Sequence, residues 1–136
     1  MTWNNTITPG TYTTTGKAAA LSWASRTDVN GMGTNTSAAM YAYEQNNGAN
    51  GYDGWTSWNC IGGNLLGANV TVNTYCLNSF SASKKQAIWV HEFGHGLGLN
   101  HGPTNAIMRS CAACTFNTYG YYYPVTDDIN GMNSIY

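Results

Sequence analysis

The residues able to do chemistry in this chain are gathered in one stretch, His91-Glu92-Phe93-Gly94-His95-Gly96-Leu97-Gly98-Leu99-Asn100-His101, which holds all three of its histidines. An α-helix turns once in 3.6 residues, so His91 and His95 project from one face and both reach a single metal ion. A third ligand cannot come from further along a straight helix. Gly98 stands where a left-handed residue ends a helix at little cost, and the chain folding back past it carries Asn100 and His101. Three imidazoles on Zn2+ leave a fourth position for water, the pattern of a catalytic site, whereas a structural zinc normally closes with four protein ligands. Glu92 is one of two glutamates, and beside His91 it is placed to accept a proton from water activated by the metal. The expected ligands are therefore His91, His95 and His101, with Glu92 as general base for hydrolysis of a polarised carbonyl. The competing readings are a buried helix that happens to carry two histidines, or a metal held for stability alone. Both leave the register of Gly98 and His101 unexplained.

The elements that position these residues follow from periodicity and caps. Ser83 with Gln86 three residues on forms a capping-box pattern, predicting a helix from about residue 84 with Ala87, Val90, Gly94 and Leu97 as its core stripe. Gly94 and Gly96 each cost about 1 kcal/mol of helix propensity relative to Ala, which close packing would explain. Upstream, Thr2 to Thr8 reads as a strand closed by Pro9-Gly10, and Gly16 to Arg26 as a scaffold helix anchored by Leu21 and Trp23. Asn30 to Gly33 reads as a loop, Ala38 to Tyr43 as a buried strand, and Asn46 to Gly54 as irregular chain. Trp55 to Asn59 reads as a short strand, and Ala68 to Tyr75 alternates as a longer one. A last helix opens with Thr126 as its cap and Asp127-Asp128 in its first turn, directing Ile129, Met132 and Ile135 inward.

At 136 residues the whole chain, 1–136, is expected to be one domain, long enough to bury a core. Charged residues make up 8% and the net charge is −1, so there is no electrostatic footprint for nucleic acid or an anionic membrane. No apolar run approaches a membrane span, and the first 30 residues hold no charged region followed by an apolar one. Cys60, Cys76, Cys111 and Cys114 are an even set with three possible pairings, which favours an oxidising, extracellular setting. Secretion is expected on that ground, without a visible leader.

His91 to His101 reads H-E-x-x-H-x-x-G-x-x-H, and Met108 follows seven residues later. In this the chain resembles the metzincin metallopeptidases, and Ala106-Ile107-Met108 resembles their Met-turn. Asp127-Asp128-Ile129-Asn130-Gly131 resembles the opening of the matrixin C-terminal helix. Gly102 is unlike the acidic residue of astacins and adamalysins, and His101 is unlike the aspartate of snapalysin-type proteases. The resemblance is specific over 83–136 and only architectural before that.

It implies an α+β fold: a twisted mixed β-sheet with an antiparallel edge strand, a scaffold helix, a zinc-binding active-site helix and a C-terminal helix. It implies one catalytic zinc, Met108 as a floor beneath it, and Asp128 hydrogen-bonded beneath the Met-turn; Asp127 could pair with a mature N-terminus. No second zinc site is expected, since all three histidines are committed. Calcium is a candidate cofactor through Asp53 and the Asn and Gly carbonyls around it, with a solvated loop as the competing reading. The expected partner is an extended peptide or protein lying along an edge strand near Trp55 to Asn59, cleaved by a monomeric enzyme. Arg109-Ser110 departs from the Tyr-Pro common in matrixins and leaves the specificity pocket undefined, with Cys111-Ala112-Ala113-Cys114 where its wall should be. A stapled loop from Cys111 to Cys114 is favoured there, which by elimination leaves Cys60 for Cys76. Tyr119, Tyr121, Tyr122 and Tyr123 either wall the pocket or simply pack. The rival functions are a zinc amidase acting on cell-wall peptides and a noncatalytic binding module; the latter has no need of Glu92.

Overall fold

The computed structural model describes residues 2–5, 11–29, 33–34 and 40–136. The elements run β1 (Thr2–Asn5), α1 (Thr11–Ala24), β2 (Gly33–Thr34), β3 (Met40–Gln45), β4 (Gly54–Ile61), β5 (Asn64–Asn73), α2 (Thr74–Leu77), α3 (Ala82–Gly96), α4 (Ala112–Tyr119) and α5 (Thr126–Asn133). This is the expected α+β architecture. The strands form one sheet in the order β2-β1-β3-β5-β4, parallel throughout except that β4 runs antiparallel to β5 at the edge. The edge strand is the one expected around Trp55 to Asn59. It is longer than the sequence reading because β4 and β5 meet in a two-residue turn at Gly62-Gly63. Both glycines have positive φ, +57° and +81°. A two-residue turn with positive φ at both positions matches the twist of the paired strands, and glycine adopts it without steric cost.

Helix α3 runs through the middle of the molecule. Ala87, Ile88, Trp89, Val90 and Phe93 are all buried, and the Trp23 indole of α1 donates to the Val90 carbonyl at 2.9 Å. A Cβ on Gly94 would collide with Met108 and one on Gly96 with Met40 and Val70, so both glycines let neighbours press against the helix. Close packing is thus the physical reason for their place in α3.

Several expectations are corrected. Helix α1 starts at Thr11, five residues early, and its buried face carries Ala19, Ala20 and Trp23, leaving Leu21 66% exposed. Ser81, not Ser83, caps α3, accepting from the Lys84 N–H at 3.3 Å. The buried strand is β3, which runs two residues past the expected end at Tyr43, and Gly33 belongs to β2. Thr74 and Tyr75 leave the alternating strand for α2, which Asn73 caps. Val125 holds the cap position of α5 and Thr126 its first turn; Met132 is buried while Ile135 is half exposed. Thr6 to Gly10, Asn30 to Met32 and Ala38-Ala39 lie outside the described residues.

Cys111 and Cys114 are disulfide-bonded, whereas Cys60 and Cys76 are free thiols. Cys60 pairs with Leu65 near the hairpin turn, while Cys76 follows the far end of β5, where Val72 faces Gly54. Six residues of strand span roughly 20 Å, far beyond the Cα separation of about 7 Å that a disulfide tolerates. Among the described residues no helix is long and apolar enough to cross a membrane.

Candidate active site

The histidine cluster is assembled by a helix and the bend that ends it. Gly98 takes φ +108°, and the Leu99 N–H reaches back to the Gly94 carbonyl at 2.9 Å, closing the helix end and reversing the chain. The reversal brings the Leu99 carbonyl to His95 Nδ1 at 2.7 Å, and the Ile107 carbonyl lies 2.9 Å from His91 Nδ1. A carbonyl only accepts, so both Nδ1 atoms carry the proton and both Nε2 atoms present lone pairs. Those two Nε2 atoms face each other at 3.1 Å. His101 joins them, and one ligand nitrogen from each ring lies within 4.8 Å of the others. Among the described residues this is the group that could hold a metal ion, and Asp53 stands outside it.

The donor set fits zinc. Two lone pairs at 3.1 Å repel unless a cation lies between them, and tetrahedral neighbours on Zn2+ are themselves about 3.3 Å apart when each bond is about 2.0–2.1 Å. Burial, above all, pulls the His91 imidazole down to about 4, against the Ile107 hydrogen bond and with the neighbouring histidines adding to the fall. Burial likewise lowers His95. Both rings are therefore neutral at physiological pH, the protonation state in which imidazole ligates.

Below the cluster, the Met108 side chain is 2% exposed and packs against Gly94. Its turn is held by Asp128, whose carboxylate accepts from the backbone N–H groups of Ile107 at 3.0 Å, Met108 at 3.1 Å and Val125 at 2.9 Å. Burial still raises Asp128 above the ordinary carboxylate range, against the pull of those three donors.

Glu92 lies beneath the edge strand. A Cβ on Gly54 would come within 2.9 Å of Glu92 Cγ, so this glycine lets β4 cross directly over the carboxyl. The Thr56 hydroxyl lies 2.8 Å from Glu92 Oε2 and 3.0 Å from the Glu92 carbonyl. Burial pushes Glu92 up to about 7; the Thr56 hydrogen bond lowers it and the charge of Asp53 raises it. Two residues along, the Trp58 indole N–H donates to the His95 carbonyl at 3.0 Å. Sequence reasoning missed Thr56, since nothing in the pattern of β4 says which helix lies under it.

These groups open into one cleft of about 540 Å³, walled on one side by β4 and the segment before it and on the other by Ser110, Cys111 and Ala112. The four tyrosines of 119–123 are not among its lining residues; Tyr119 stacks on Tyr121, Tyr122 meets Tyr123 edge to face, and Arg26 lies 4.4 Å from the centre of the Tyr123 ring.

With this geometry in place, comparison with known families is decisive. The matrixin family model matches residues 16–136. The chain belongs to the matrixin family of peptidases, which makes it by kinship a zinc metallopeptidase with peptides as its substrates. No curated protein matches it significantly.

Proposed function

We propose that residues 1–136 form a single, secreted, monomeric catalytic domain that cleaves proteins internally, with His91, His95 and His101 as zinc ligands and Glu92 as general base. The observation that carries this reading is the pair of carbonyl-fixed imidazoles whose Nε2 lone pairs converge at 3.1 Å, with a buried carboxyl on the adjacent residue. Zinc held there supplies Lewis acidity toward a carbonyl oxygen and toward water. The exposed backbone of β4 binds an extended peptide as a further strand, holding the scissile bond over the cluster. Glu92, buried beside the cluster, takes the proton from the attacking water and passes it to the departing amine. Thr56 keeps its carboxyl turned toward the cleft. Asp128 and Met108 serve the site indirectly, by fixing the turn that meets His91 Nδ1.

Cleavage of a denatured general protein substrate, run with and without a zinc chelator beside metal analysis, tests this. Glu92→Gln is expected to retain one zinc per chain and lose turnover on the order of 10²–10⁴-fold. A folded, zinc-loaded mutant that turns over like the parent removes Glu92 from the role, and a zinc-loaded parent that cuts no protein overturns the reading.

A further inference from the structure

The cleft holds a second carboxylate that the proposed mechanism does not use. We infer that Asp53 selects substrates carrying lysine or arginine just after the scissile bond, an inference that rests on the peptidase reading above.

Asp53 lines the cleft with its neighbours Gly51 to Gly54, and Ile88, Ser110 and Ala112 line it as well. Among the described lining residues there is no Lys or Arg, so this end of the cleft is negative. Asp53 is also held in place through its main chain. Its backbone carbonyl accepts from the Asn73 N–H at 2.8 Å, and the Asn73 amide, wholly buried, donates to the Gly48 carbonyl, Asn50 Oδ1 and the Tyr52 carbonyl at 3.0–3.1 Å. Burial lifts the Asp53 carboxyl above its usual range, offset in part by Lys84 and by a hydrogen bond with the Cys76 thiol. The charge of Lys84 reaches Asp53, and the Lys84 ammonium also lies 4.0 Å from the centre of the Phe80 ring. A cation arriving in the cleft adds a second positive charge beside Asp53.

Strand direction fixes which substrate residue meets it. Strand β4 begins at Gly54, beside Asp53, then passes Thr56 over Glu92 and Trp58 over His95. A peptide added in the more stable antiparallel sense runs the other way, so the residues after the scissile bond leave past Gly54 and Asp53. A lysine or arginine there lays its aliphatic stem along Ile88 and Ala112 and brings its charge to the carboxylate.

The test compares two peptides that differ only by lysine or norleucine after the intended bond, cut by the zinc-loaded chain, with products mapped by mass spectrometry. The lysine peptide is expected to have about a tenfold higher kcat/KM. That ratio should fall toward one in Asp53→Asn and below one in Asp53→Lys, which instead favours glutamate. Binding of the same peptides to zinc-loaded Glu92→Gln should rank them identically without turnover. Equal rates for the two peptides, or lysine mapped before the cut, overturn this inference while leaving the peptidase reading intact. A zinc-loaded chain that cuts neither peptide, nor any protein, overturns both.

Discussion

Two buried polar side chains bracket the cleft, and they do the same job with opposite chemistry. Asn73, wholly buried, ties down the segment before β4 with an amide that donates to the Gly48 and Tyr52 carbonyls, while its oxygen accepts from the Asn47 and Tyr75 N–H groups. Asp128, 2% exposed, ties down the segment after His101 with a carboxylate that only accepts, from Ile107, Met108 and Val125. The loop on one side turns both carbonyls and an N–H inward, and the turn on the other turns only N–H groups inward. Each side chain is therefore dictated by the backbone groups presented to it, and an unmatched buried group costs more than a matched one contributes. The charge is the remaining difference: burial raises Asp128, whereas a neutral amide has no such penalty.

The sharpest way to break this comparison is Asn73→Asp, which sets a carboxylate against two inward carbonyls. It should destabilise the fold by on the order of 3 kcal/mol or more in chemical denaturation, and a cost under 1 kcal/mol would mean the loop does not depend on the donor. Glu92 extends the comparison, since it is a buried carboxyl with a hydroxyl partner in place of three backbone donors. Its folded-state pKa is raised from 4.5 to about 7, so its contribution to stability is full below the lower value and lost as pH rises through the upper one. Metal-free parent should lose on the order of 3 kcal/mol relative to metal-free Glu92→Gln between pH 4.5 and 7; parallel pH profiles for the two would contradict this. Asp128→Asn replaces one acceptor oxygen with an amide facing an N–H, for an expected loss of about 1–3 kcal/mol by the same denaturation assay. The smallest effect is expected of Thr56→Val, which removes a hydrogen bond that lowers Glu92. The acidic limb of kcat/KM should move to higher pH by about one unit or less, with Thr56→Ser restoring it.

Helix α3 and the histidine cluster at its end were legible because the pattern is local: four-residue spacing, a glycine at the bend and a histidine just past it need no knowledge of the rest of the chain. Met108 and Asp128 were legible through resemblance, and the hydrogen bonds at Ile107 and Met108 supply the physical reason. Where tertiary packing decides, the sequence was silent or misleading. Leu21 and Trp23 are both apolar, but Ala19, Ala20 and Trp23 share a helical face and α3 sits against that face. Ser81 and Ser83 both suit a cap; Ser81 wins because the chain enters there extended, at φ −62° and ψ 161°. The Gly62-Gly63 pair carried a hairpin signal that extends both flanking strands. Asn73 and Thr56 left no trace, since their partners are distant backbone and a distant carboxyl.

The close seating of Met108 against Gly94 has an evolutionary consequence. The helix that carries the ligands is also the one around which the core is packed, so a substitution that retunes the metal draws on the stability of the whole fold. Of the cleft walls, Asp53 and Ser110 lie outside that core, whereas Ala112 belongs to it. On the proposed reading, descendants of this chain can change what they cut more freely than how they cut it.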